Sequence, residues 1–372
     1  MASPVSPAEI ESRLLLGPGP SPVAHRILEA MSRPTVGHLD PQFLALMDRV
    51  NEGLRSVFGT RNELTFPVSG TGSAGMEAAL ANLLEPGDTA IVGVCGVFGT
   101  RLAEMARRMG AEVVTVEADW GRIVPPEQLV DAQKAHPEAR LLALVLAETS
   151  TGVWQPLREV GDHLAGTDTL FVVDAVTALG GTPVEVDAHG IDVCYAGTQK
   201  CLGVPPGLAP ITFSPRAVER SRRRERVCQS WYLDVGLIAG YLGEERRYHH
   251  TAPINMVYAL HEGLRMVEEE GLEARYRRHR EMGAALQHEL QDRGFSLWAQ
   301  EGHRLPQLTS ASLPDGVDEG PLRRALLHHH GIEVGGGLGP AAGSIWRIGL
   351  MGAGATRESV SRLLSAVDDL LA

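Results

Sequence analysis

Between residues 64 and 213, short apolar runs rich in β-branched residues alternate with stretches of helical periodicity. This alternation confines the chain to an α/β fold, a mostly parallel sheet between layers of helices, because parallel strands need long crossovers that cover both faces. Leu64–Val68, Thr89–Val94, Glu112–Val116, Leu141–Leu146, Leu170–Asp174, Asp192–Tyr195 and Ala209–Phe213 read as strands, with helices over Met76–Leu84 and Arg101–Met109. After about residue 255 the pattern becomes that of a smaller α+β unit. One long polar helix is expected over Met256–Arg293, then strands at Phe295–Trp298, Leu308–Leu313 and Ser344–Gly349, and helices over Gly320–His330 and Thr356–Leu371. The domain reading is an N-terminal segment 1–22, a large domain 23–268 and a small C-terminal domain 269–372.

Composition narrows the function. Over 372 residues the formal charge is −12, with 44% hydrophobic and 22% charged residues. An acidic balance argues against nucleic acid and anionic membrane as partners, since both select a basic footprint. No apolar run is long enough to span a bilayer. Met1–Ile10 lacks the charged and apolar regions of a secretory leader, and Leu370–Ala372 is no peroxisomal address, so a cytoplasmic enzyme is expected. Cys95, Cys194, Cys201 and Cys228 show no CxxC spacing and read as reduced, mostly buried thiols. The Arg220–Arg226 run reads as a solvated helix face or loop, because no aromatic residues are interleaved for base stacking. Adjacent histidines on a helix point in different directions, so His328–His330 is assigned no metal.

Of the 34 basic residues only Lys134 and Lys200 are lysines. Lys134 lies in a polar stretch. Lys200 lies among small and apolar residues, just after a strand. A desolvated lysine amine can become a nucleophile, whereas arginine keeps its proton. Two further features sit at strand ends. Gly70-Thr71-Gly72-Ser73-Ala74-Gly75 follows a strand and opens a helix, the setting in which backbone N–H groups hold an anion. The next strand ends Val94-Cys95-Gly96 with no ribose-binding carboxylate, so a single phosphate fits better than a dinucleotide. Asp174 closes an apolar strand and faces the ligand crevice of an open α/β sheet; a turn or helix-cap role is the alternative.

A phosphate cradle, a strand-end carboxylate and a lysine are the parts a pyridoxal phosphate enzyme needs: the lysine forms the Schiff base and the carboxylate partners the ring nitrogen. Phe98, after the next strand, is placed to pack an aromatic face on the ring.

The chain resembles the class V, fold-type I aminotransferases, in particular the alanine–glyoxylate and serine–pyruvate branch. The resemblance runs from about Leu14 to the C-terminus. It is carried by Leu14-Leu-Leu-Gly-Pro-Gly-Pro20, Ser69-Gly70, Leu84-Glu-Pro-Gly-Asp88, Glu148-Thr-Ser-Thr-Gly152, Leu179-Gly-Gly-Thr-Pro183, Gly197-Thr-Gln-Lys200, Tyr248-His-His-Thr251, Gly335–Pro340 and Arg347-Ile-Gly-Leu350. It implies that Lys200 is the Schiff-base lysine and proton shuttle, and that Asp174 is the ring-nitrogen partner. It implies phosphate contacts from Thr71, Gly72 and Gln199, with Ser69, Gly70, Ser73 and Val176 also against the cofactor. Ser150 would stand near the ring hydroxyl and the substrate, and Arg347 would clamp the substrate carboxylate. Tyr248 and Thr251 would reach the partner subunit's phosphate site, making the active site a property of a homodimer. The branch usually carries Trp where Phe98 stands and often His where Ser73 stands. The expected reaction moves an amino group from alanine or serine to glyoxylate by ping-pong half-reactions. Alternatives are the same transfer with another donor or acceptor, such as serine to pyruvate or aminoethylphosphonate to pyruvate, a desulfurase or lyase on the same scaffold, and an NAD-dependent oxidoreductase.

Overall fold

The computed structural model describes Ser6 and residues 10–372. The leader reading on Met1–Ile10 therefore lies, apart from Ser6 and Ile10, outside the described residues. Among the described residues the central sheet has seven strands: β1 Leu64–Ser69, β2 Thr89–Val94, β3 Glu112–Glu117, β4 Leu141–Val145, β5 Leu170–Asp174, β6 Val193–Tyr195 and β7 Leu208–Phe213. Their order across the sheet is β1-β7-β6-β5-β4-β2-β3. Only β7 runs antiparallel to its neighbours, so this is the mostly parallel sheet the alternation predicts. β4 and β5 are buried along their whole length, whereas the edge strand β3 carries an exposed glutamate at each end.

Successive side chains of a strand leave by opposite faces. Phe171 and Val173 join an apolar cluster with Phe43 and Leu54 of α2 (Pro41–Phe58) and Leu260 of α9 (Ile254–Glu270). Leu170 and Val172 join the opposite cluster, with Ala79 of α3 (Gly72–Leu83) and Leu102 and Ala106 of α4 (Val97–Arg108). Helices α1 (His25–Met31), α5 (Pro126–Ala135), α6 (Arg158–Leu164), α7 (Pro215–Arg222) and α8 (Val235–Leu242) complete this part of the molecule.

The C-terminal part is a four-stranded antiparallel sheet of Ser296–Leu297, Leu308–Ser312, Ile345–Gly349 and Gly335–Gly336 in spatial order. It packs with α10 (Leu272–Asp292), α11 (Glu319–His330) and α12 (Arg357–Leu371) around the fully buried Trp346. Leu14–Leu15 adds a short parallel pairing to Ile332–Glu333.

Three local expectations change. The single helix over Met256–Arg293 is two helices, because Gly271 takes φ +79° and parts α9 from α10. Helices α3 and α4 begin at Gly72 and Val97, about a turn earlier than their apolar periodicity suggests. The first turn of α3 is Gly72-Ser-Ala-Gly75, small residues that hydrophobic pattern cannot reveal, and Gly99 and Thr100 thin the pattern in that of α4. The Arg220–Arg226 run is not a freely solvated face. Arg224 donates to the carbonyls of Ala81 (2.9 Å) and Leu84 (2.7 Å) at the end of α3, and Arg220 pairs with Glu85 and Asp88. Basic groups there satisfy helix-end carbonyls and the negative pole of the helix.

Candidate active site

The C-terminal ends of the parallel strands converge on one crevice. Asp174 closes β5, in register with Val145 of β4 and Tyr195 of β6, and the turn after Tyr195 brings Gln199 and Lys200 to the same edge. Ser69 closes β1, and Gly70 follows with φ +153°, a conformation that suits glycine. Thr71 is then the N-cap of α3, with Gly72 and Ser73 in its first turn. No side chain caps this helix, so its leading N–H groups face the crevice as an anion cradle. A β-carbon on Gly72 would come within 2.8 Å of Val176, so the loop and the turn after Asp174 press closely together.

Lys200 is 9% exposed, and its Nζ donates to the Pro18 carbonyl. Burial among neutral groups pulls the amine down to about 8, with the Asp174 charge opposing the change and the Arg347 charge assisting it. Gly19, at φ +115°, lies over the same amine; a β-carbon there would stand 2.7 Å from Nζ. Asp174 accepts a hydrogen bond from Val176 N (2.8 Å), and burial pushes its carboxyl up to about 7. The nearby Glu148 charge pushes in the same direction, while Lys200 opposes it.

Glu148, quoted in the sequence only as part of a motif, proves to be a hub. It is fully buried, and its carboxylate accepts from Phe98 N (3.1 Å), Gly99 N (3.2 Å), Ser150 N (3.1 Å) and Ser150 Oγ (2.5 Å). Ser150 Oγ in turn accepts from Val97 N at 3.0 Å. Glu148 thereby anchors the start of α4 and fixes the two residues, Phe98 and Ser150, expected to border the cofactor ring. Burial raises its own carboxyl above the usual range against these donors. The only signal in the sequence was the adjacency of Glu148 to Ser150; that it serves a helix start fifty residues earlier is visible only in three dimensions. Arg101, one turn beyond Phe98, lies 5.0 Å over its ring and donates to Ser73 Oγ at 3.4 Å. The two positions that depart from the resembling branch therefore share one guanidinium.

Arg347 comes from the small sheet, paired with Ser310 and Gly335. It donates to the carbonyl of Gly336 (2.7 Å) and to that of Thr149 (3.4 Å), which places it beside Ser150. Tyr248 and Thr251 are both exposed in the single chain, Tyr248 at 62%.

These surroundings fit pyridoxal phosphate. The helix cradle suits its phosphate. The Gln199 amide oxygen is buried without a partner, and turning the amide over would present its NH2 donors to a phosphate instead. An amine of lowered pKa and a buried carboxyl lie at one sheet edge, as the aldehyde and ring nitrogen require.

Comparison with known proteins agrees. The family model for aminotransferase class V matches residues 15–363. An alanine–glyoxylate aminotransferase of Drosophila melanogaster is 41% identical over 370 residues, covering 98% of this chain and 94% of that one. An (S)-ureidoglycine–glyoxylate transaminase of Bacillus subtilis is 39% identical over 378 residues, covering 96% and 90%. The crystal structure of an alanine–glyoxylate aminotransferase from Nostoc sp. superposes with TM-score 0.97 at 50% identity, covering 99% and 98%. The chain belongs to the class V aminotransferases, with the fold-type I architecture. It is a pyridoxal phosphate-dependent transaminase.

Proposed function

We propose that this protein transfers the amino group of a small amino acid, alanine or serine, to glyoxylate, in two half-reactions at one site. The observation that carries the reading is the meeting of Lys200, Asp174 and Arg347 at the sheet edge, together with two relatives named for glyoxylate as acceptor. When bound, pyridoxal phosphate supplies an aldehyde that takes up the amino group and a ring that accepts electrons. Thr71, Gly72, Ser73 and Gln199 would hold its phosphate, with Ser69 and Gly70 shaping the loop and Val176 lining it. Phe98 would face the ring and Ser150 its hydroxyl edge. Asp174 would keep a proton at the ring nitrogen. Lys200, as a neutral amine, would take the proton from the substrate α-carbon and return it on the other side of the transfer. Arg347 would grip the α-carboxylate common to amino acid and oxo-acid, with the planar fork that suits it.

A homodimer in which Tyr248 and Thr251 of each chain complete the other's phosphate site belongs to the same reading, supported by the exposure of both residues. So do the domain limits 23–268 and 269–372, with 1–22 as a separate segment, and a cytoplasmic setting, supported by four free thiols. Among the described residues no helix is long and apolar enough to cross a membrane. The Bacillus subtilis relative favours a second reading, the same acceptor with a ureido-substituted donor. A panel of amino donors, assayed with glyoxylate and with pyruvate, tests both. Turnover of alanine or serine with glyoxylate is expected to lead; a preference for pyruvate or for (S)-ureidoglycine would displace the first reading.

A further inference from the structure

His249 and His250 sit between the exposed Tyr248 and Thr251, yet both turn inward, His249 to 4% exposure. They form a chain of hydrogen bonds ending at the phosphate loop. His249 Nε2 lies 3.2 Å from the Trp231 carbonyl, the two Nδ1 atoms face each other at 2.7 Å, and His250 Nε2 lies 2.8 Å from Ser69 Oγ. Trp231 stacks on His249 at 4.4 Å, and the rings of Tyr232 and Tyr241 pack edge-on to His250.

The partners dictate where the protons are. A carbonyl only accepts, so His249 Nε2 carries hydrogen in every state. With both rings neutral, His249 Nδ1 is then a lone pair, and His250 Nδ1 must donate to it. His250 Nε2 is left bare and accepts the Ser69 hydroxyl proton. One added proton goes to His250 Nε2, which now donates to Ser69 Oγ and turns the hydroxyl hydrogen elsewhere. A second would set two N–H groups head to head across 2.7 Å, which the contact forbids. The pair therefore takes one proton, and that proton reverses the direction of Ser69.

Ser69 leads directly into Gly70-Thr71-Gly72. We propose that His249 and His250 are positioning residues for the phosphate loop: together they hold one proton whose arrival adds positive charge beside the loop and frees the Ser69 hydroxyl, so that anion binding there strengthens as pH falls. The proposal rests on the reading that this loop holds the cofactor phosphate. The other titratable groups facing the pair are His38, from the segment before α2, Tyr232, from the loop before α8, and Tyr241, on α8, whose hydroxyl is committed to the His38 carbonyl at 2.7 Å. Asp234 caps α8, and the nearby charges of Arg246 and Arg247 are paired with Asp48 and Glu245. Burial, His249 and His38 all favour neutral His250, so the switch lies on the acid side of an ordinary histidine.

The test uses the full-length protein freed of cofactor, with sulfate as probe, because sulfate stays a dianion throughout the range in which histidine titrates. By calorimetry, sulfate affinity is expected to fall at least about fivefold from about pH 5 to about pH 8, an ordinary size for coupled binding. Proton uptake at the midpoint should be about 0.4 per sulfate for a fivefold coupling, and larger if the coupling is stronger. In His250→Gln the pH dependence is expected to shrink to the part that Asp174 and Lys200 contribute from the crevice, with the uptake on the acid side of about pH 7 gone. Equal pH dependence in His250→Gln and wild type overturns the proposal, as does sulfate binding by wild type without proton uptake, a result that needs no variant. Failure of sulfate to compete with pyridoxal phosphate at any pH overturns the loop assignment and the proposal together.

Discussion

The Lys200 amine is held out of water, under the N-terminal loop, and burial pulls it down to about 8. Below that pH it is mostly charged and cannot attack an aldehyde; above it the neutral form dominates. Protein freed of cofactor is therefore expected to take up pyridoxal phosphate at a rate that climbs with pH and levels off above about pH 8, the lone pair being the reactive form. The growth of the visible absorbance checks this, and a rate flat from mildly acidic to mildly alkaline pH contradicts it. Lys200→Ala should fold normally, show no turnover and lose the covalent fixation that borohydride otherwise leaves on the peptide holding Lys200.

Asp174 titrates with the opposite consequence. Its folded pKa, pushed up to about 7, stands above the unfolded value of 3.8, so the folded state binds more protons between those limits. The contribution to stability is full at acid pH and shrinks as pH rises through about 7. In the cofactor-free protein Asp174→Asn removes that penalty. Melting curves should show the variant gaining on wild type between about pH 5 and pH 8, by a few kcal/mol at most. With cofactor present the order should invert, because the ring nitrogen has lost its partner. A variant equally displaced at both pH values would contradict the assignment. Lys200 and Asp174 were legible in the sequence for chemical reasons: a rare lysine in small, apolar surroundings and a carboxylate ending an apolar strand. Glu148 was not, since an acid in Glu148-Thr149-Ser150 looks like a solvated turn until α4 closes over it.

At the scale of elements, the strands announced themselves because each is a short apolar run whose burial is set locally. Helices α5 and α6 were missed because, at 10 and 7 residues, they are too short for a helical period to stand out. Helix α2 was missed despite good punctuation. Asp40 caps it through Gln42 N (2.8 Å), Pro41 begins it and Gly59 ends it at φ +68°. The Arg220–Arg226 run misled because charge alone does not show that a helix end lies within reach. Arg224 closes two carbonyls of α3, the helix whose other end is the phosphate cradle. Arg224→Ala is expected to lower stability by about 1–3 kcal/mol, the range for losing charged hydrogen bonds to part-buried acceptors. Urea unfolding measures it. Turnover at saturating cofactor should hold, and an unchanged midpoint would show that water replaces the guanidinium without loss.

At the scale of the molecule, the site needs both sheets. Arg347 belongs to the small one, yet it reaches the Thr149 carbonyl in the turn beyond β4 of the large one, so substrate recognition depends on their joint placement. Arg347→Lys keeps the charge but loses the fork. Apparent KM should rise for amino donor and oxo-acid alike, since both present the same carboxylate; a change confined to one of them would take Arg347 out of that role.

The stretch from Leu14 to Ser21 crosses the same divide. Leu14–Leu15 lies along Ile332–Glu333, Leu16 accepts from Gly349 N (2.8 Å), and Ser21 bonds to Gln199 and Lys200 at the main chain (2.9 and 2.7 Å), while the Pro18 carbonyl receives the amine itself. Those eight residues act as a drawbar coupling the C-terminal sheet to the reactive nitrogen. Any swing of the smaller half would be felt at that nitrogen as well as at Arg347.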